Sequence, residues 1–104
     1  MKSNEAGSAK TNESLGKNVT ERFKIIMEYY HGGKKELAIE MACKEMTSFI
    51  HFRIHKNFSS YMKYYDDMFN QGICGVLEGL KKYDPEISTP TTFFNFYIVH
   101  EISR

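Results

Sequence analysis

Asp66-Asp67-Met68-Phe69-Asn70-Gln71-Gly72-Ile73-Cys74-Gly75-Val76-Leu77-Glu78-Gly79-Leu80-Lys81-Lys82-Tyr83-Asp84-Pro85 is the stretch from which the fold is read. Phe69, Ile73, Val76, Leu77 and Leu80 recur at helical spacing, which predicts an amphipathic helix. Asp66 and Asp67 stand where carboxylates favour a helix N-terminus, and Lys81 and Lys82 stand near its C-terminus. Gly72, Gly75 and Gly79 together cost about 2 to 3 kcal/mol of helix propensity relative to alanine, so some packing gain must offset them. They lie along one side, where missing side chains let another helix approach. Asp67, Asn70, Gln71, Cys74 and Glu78 line another side. Two readings of that ridge are open at this point: a solvated face, or a polar surface on which a partner helix docks.

Outward from this helix, Asp84-Pro85 breaks the chain and Thr89-Pro90 has the form of an N-cap followed by proline at the first helical position. A further helix is expected from Pro90, carrying Phe93, Phe94, Phe96, Tyr97, Ile98 and Ile102. A helix buries one stripe, so some of these rings must face outward. Exposed rings beside Thr91, Thr92 and Asn95 suit stacking on unpaired bases; a dimer seam is the other reading.

Upstream, Asn57 to Tyr65 has no clean period and reads as a connection or a ragged helix end. Ile39, Ala42, Cys43, Met46, Phe49, Ile50 and Ile54 define a helix over about Lys34 to Lys56, and Gly32-Gly33 ends the helix before it. That first helix begins at Asn18, three residues before Glu21 as in a capping box, and buries Phe23, Ile26, Met27 and Tyr30. Met1 to Lys17 is polar, with a single Leu, and reads as a disordered tail. The expected fold class is all-α, a compact bundle of about four helices spanning residues 18–104.

The chain has 104 residues, 14 Lys+Arg against 13 Asp+Glu, and a formal net charge of +1. That length allows one small domain. Balanced charge excludes a protein that grips nucleic acid by bulk electrostatics. No apolar run is long enough for a membrane span and the first residues are not signal-like, so a cytoplasmic location is expected. Cys43 and Cys74, each inside an apolar helical pattern, read as reduced core residues. His51 and His55 stand at i, i+4, but Phe52 occupies the place where a zinc-protease motif needs glutamate; both read as surface residues, with no metal and no cofactor. Neither a phosphate-binding glycine loop nor a cysteine with a local base is present, so enzymatic chemistry is not expected.

The combined pattern resembles the second conserved region of bacterial sigma factors. Asp66 to Pro85 carries the strong motif: an acidic pair, amides, glycines three apart, and an aromatic-Asp-Pro close. Thr91-Thr92-Phe93-Phe94-Asn95-Phe96-Tyr97-Ile98 is similar to the aromatic segment that follows it in that family. The resemblance covers about Asn18 to Arg104. It implies that Asp66, Asp67, Asn70, Gln71, Ile73 and Leu77 contact the clamp helices of the largest catalytic subunit of core RNA polymerase. It also implies that Phe93, Phe96 and Tyr97 hold melted promoter DNA, and that His100, Ser103 and Arg104 begin the duplex-reading part. An anti-sigma factor is a further implied partner. Gln71 replaces the family's usual Glu, Ile73 a frequent Asn, and Asn70 a common Gln, while Phe96 and Tyr97 replace a tryptophan pair. The helix-turn-helix that reads the distant promoter element does not occur in this sequence. Expected roles are therefore a sigma-factor fragment or one half of a split sigma factor, a regulatory mimic that occupies the clamp helices without melting DNA, or a helical homodimerising protein.

Overall fold

The computed structural model describes residues 11–104, with side chains from Val19 onward. Four α-helices form the bundle: α1 (Thr11–His31), α2 (Lys35–Asn57), α3 (Tyr65–Leu80) and α4 (Pro90–Ser103), with a short 3-10 helix at Ser59–Tyr64. Among the described residues there is no strand, and the fold is the expected all-α bundle.

The first helix starts seven residues before Asn18. Extending a helix that already exists costs much less than nucleating one, and Glu13, Leu15 and Lys17 are good helix formers. Asn18 and Glu21 consequently lie inside α1 rather than capping it. Residues 1–10, the first part of the expected tail, fall outside the described residues.

Gly33 ends α1 with φ +95°, and the Lys34 amide donates to the Tyr29 carbonyl at 2.9 Å, a Schellman closure that only glycine enters without strain. α2 then returns alongside α1 and buries Ala38, Ala42, Met46, Ile50 and Ile54, one residue per four. Its end passes through Phe58, whose amide donates to Ile54, into the 3-10 turn, where Tyr61 departs from helical φ and ψ. α3 carries Asp66 and Asp67 in its first turn, as expected. Thr89, in extended conformation, precedes Pro90 at the start of α4, and its carbonyl accepts from the Phe93 amide.

α3 and α4 form the closest pair because α3 presents glycines. A Cβ on Gly75 would fall 2.6 Å from the Tyr97 carbonyl oxygen and 2.8 Å from the Ile98 Cα. One on Gly79 would meet the Phe94 ring at 2.8 Å, and one on Gly72 the Ile50 side chain at 2.7 Å. The three positions thus set the spacing of α3 to α4 and to α2.

The core gathers Phe23, Ile26 and Met27 of α1 with Val76, Leu80, Phe94 and Ile98. Tyr83 joins it from the α3–α4 connection at 4% exposure, edge-on to Phe23 and tilted against Phe94. Its hydroxyl donates to the Ser88 carbonyl at 2.8 Å. Burial, and then the Asp84 carboxylate, push this phenol up to about 12. Met68 is also buried, whereas Phe69, Ile73 and Leu77 are only half-buried. The inward face of α3 is centred on its glycines, which turns those three apolar residues toward its flanks.

Candidate functional site

The polar ridge is determined by what lies behind it. Gly72, Gly75 and Gly79 are consumed by packing and Val76 and Leu80 are buried on one side of them, so the residues that precede each glycine by one position, about 100° round the helix on the other side, turn away from the core. Asp66, Asp67, Asn70, Gln71, Cys74 and Glu78 are all exposed, with Ile73 and Leu77 half-buried beside them. Asp66 and Asp67 stand over the unpaired amides of the first turn of α3, where negative charge is favoured. Glu78 is paired with Lys81 at 3.2 Å at the far end. Cys74, expected in the core, belongs to this exposed ridge because it precedes Gly75 by one residue. Cys43 is half-buried, and burial pushes its thiol pKa up.

Phe93, Phe96, Tyr97, His100 and Arg104 follow one another at i, i+3, i+4, i+7 and i+11, one face of α4. Their rings form a continuous series: Phe93 to Tyr97 at 5.2 Å, Tyr97 to Phe96 at 5.3 Å, and Phe96 to His100 at 5.9 Å with planes 7° apart. Phe96 is 64% exposed. Phe93 and Tyr97 are half-buried, Phe93 because it also packs on Tyr83 and Phe94. Ser103 and Arg104 are exposed but engaged locally: the Ser103 hydroxyl donates to the Val99 carbonyl at 2.7 Å, and the Arg104 guanidinium spans both carboxylate oxygens of Glu101. Among the rings of α4, Phe96 thus offers an open stacking face, with His100 extending it.

The two surfaces meet. A shallow hollow of about 340 Å³ is lined by Gln71 from α3 and by Glu101, Ile102 and Arg104 from α4. Sequence reading does not single out Glu101 and gives Ile102 only as an apolar position of α4. Only the antiparallel register of α3 on α4 brings them beside Gln71.

The histidines do not form a shared site. His51 is half-buried rather than on the surface, stacked on Tyr65 at 5.4 Å and on Phe69 at 4.8 Å; His55 is exposed and leans on Tyr65. Tyr65 and Phe69, one turn apart on α3, direct both rings at α2. Among the described residues no group of three or more His, Cys, Asp or Glu is placed to hold a metal ion, and no helix is long and apolar enough to cross a membrane.

Comparisons of the chain with protein-family models, with curated proteins and with solved structures return no match.

Proposed function

We propose that this chain is a transcription-initiation module of the sigma-factor second-region kind, a fragment of a longer factor or one half of a split one. In this reading the α3 ridge docks on the clamp helices of the largest catalytic subunit of core RNA polymerase, in the cytoplasm. Asp66, Asp67, Asn70 and Gln71 supply a polar rim and Ile73 and Leu77 an apolar centre, the arrangement of a small, electrostatically guided interface. Phe96, with Phe93 and Tyr97 beside it, stacks on unpaired promoter bases, and His100, Ser103 and Arg104 stand at the duplex edge. The chain itself performs no chemistry, which stays with the polymerase. An anti-sigma factor would act by covering the ridge.

The observation that carries this reading is the exposure of the whole ridge beside a glycine face that the bundle itself consumes. A helix that spends its small residues inward and leaves amides and carboxylates free outward is suited to protein docking. The test is a pull-down with isolated clamp helices. Wild type is expected to bind, and Asp67→Ala/Gln71→Ala to lose binding without loss of helicity; equal retention of both overturns the docking role.

A second reading, the regulatory mimic, draws on one feature: Phe93 and Tyr97 are partly committed to the chain's own packing. Titration of a single-stranded promoter oligonucleotide in the presence of polymerase separates the two. Phe93→Ala/Phe96→Ala weakens capture if the module melts DNA and changes nothing if it only occupies the clamp.

A further inference from the structure

Between Glu45 and Asp66 the chain has no carboxylate side chain. In that interval Arg53, Lys56 and Lys63 are interleaved with aromatic residues on the second half of α2 and the 3-10 turn, at one end of the bundle. Phe52, Tyr61 and Tyr64 are exposed by 52%, 56% and 50%. The Arg53 guanidinium lies 5.3 Å from the ring centres of both Phe49 and Phe52, and the Lys63 ammonium 5.4 Å from that of Tyr64. Of the other described cations, Arg22, Lys24, Lys81 and Arg104 are paired with Glu45, Glu21, Glu78 and Glu101, and Lys34, Lys35, Lys44 and Lys82 each have a carboxylate residue within two positions in the sequence. Among the described residues Arg53, Lys56 and Lys63 take part in no ion pair.

In a near-neutral protein, the second half of α2 and the 3-10 turn that follows it thus carry cations and open rings with no carboxylate among them. We infer that this end of the bundle is a binding site for single-stranded nucleic acid, separate from the α4 face and additional to the roles proposed above. Cations flanking exposed rings offer phosphates and bases their two complements together, electrostatic attraction and a stacking surface. An acidic peptide would use the charges and leave the flat faces of Phe52, Tyr61 and Tyr64 without a matching partner. Asp66 and Asp67 share a hollow with Lys63 and repel phosphate, which sets the border of the track and directs a strand along Arg53 and Lys56 toward Tyr61.

The test is fluorescence anisotropy of the full chain with a labelled oligothymidylate, titrated at several salt concentrations. Binding at low salt is expected, and Lys56→Gln/Lys63→Gln should flatten the log-affinity against log-salt slope by about 1.4, the release expected for two lost phosphate contacts on a single strand. Tyr61→Ala should weaken binding by about fivefold or more while Tyr61→Phe preserves it. All three variants alter exposed residues, and helical circular dichroism confirms that they fold. An unchanged slope in the double-glutamine variant overturns the proposal, as does failure of wild type to bind at low salt. Displacement by polyglutamate as efficient as by unlabelled oligonucleotide also overturns it and gives the surface to an acidic protein partner. Phe96→Ala and Gln71→Ala should leave the slope at its wild-type value, so failure of this site and failure of the sigma-like role are read out separately.

Discussion

Gly75 stands so close to Tyr97 that a methyl group in place of its hydrogen would lie 2.6 Å from the Tyr97 carbonyl oxygen. Backbone cannot turn aside as a side chain can, so Gly75→Ala forces α4 to shift. Overpacking of this kind costs about 1 to 3 kcal/mol, against up to about 1 kcal/mol regained in helix propensity. Thermal unfolding should show Gly75→Ala as the most destabilising of the three glycine-to-alanine changes on α3. Gly72→Ala should be milder, because its obstacle is the Ile50 side chain. A Gly75→Ala protein as stable as wild type would mean that the helices are not packed this tightly.

Tyr83 links the core to the loop that precedes α4. Removing its hydroxyl in Tyr83→Phe deletes the bond to the Ser88 carbonyl and should lower stability by about 0.5 to 1.5 kcal/mol near neutral pH. The pH dependence follows from the raised phenol. Between the ordinary value of 10.0 and about 12 the unfolded chain gives up this proton while the folded one keeps it. The folded state then binds more protons, so stability falls as pH rises through that window. Urea denaturation across it should give a steeper decline for wild type than for Tyr83→Phe; parallel declines would show that the phenol is not held neutral.

Phe94 and Phe96 are two residues apart and opposite in role. Phe94, at 0% exposure, packs against Phe23, Tyr83 and Phe93, and Phe94→Ala should cost about 3 to 5 kcal/mol. Phe96→Ala should change stability by no more than about 0.5 kcal/mol, since its ring is mostly in water. Chemical denaturation checks both, and a large loss for Phe96→Ala would place that ring in the core or in a dimer seam.

These contrasts mark what periodicity can and cannot reveal. Phe23, Ile26, Val76, Leu80 and Ile98 sit where an apolar stripe predicts, and Thr89-Pro90 starts its helix because proline fixes φ and lacks a donor. The close approach of a helix to Gly72, Gly75 and Gly79 was legible, but an apolar stripe drawn from side chains alone does not show that the inward face of α3 is centred on those glycines. That shifted Phe69, Ile73 and Leu77 outward and exposed Cys74. Tyr83 escaped because a loop residue has no period, and its burial depends on Phe23 and Phe94 arriving from distant parts of the chain. The ridge residues were legible as an outward face once a helix was recognised. Their closeness to Glu101 and Ile102 was not, because it depends on inter-helix register.

Cys74 gives the ridge a chemical handle. It is exposed on α3 between Gln71 and Glu78, whereas Cys43 is half-buried with its thiol pushed up by burial, which lowers its thiolate fraction near neutral pH. A maleimide at neutral pH should therefore label Cys74 first, and mass spectrometry of a brief reaction should find the adduct on the peptide containing Gly72 and Gly75. Because the modified atom points to solvent, circular dichroism and the unfolding midpoint should stay near those of the unlabelled chain. Binding to clamp helices should nonetheless fall when a bulky maleimide is used, since the adduct would stand in the middle of the docking face. Faster labelling of Cys43 would show that α3 is rotated from the arrangement described. Retention of clamp binding by a fully Cys74-labelled chain would remove this face of α3 from the interface.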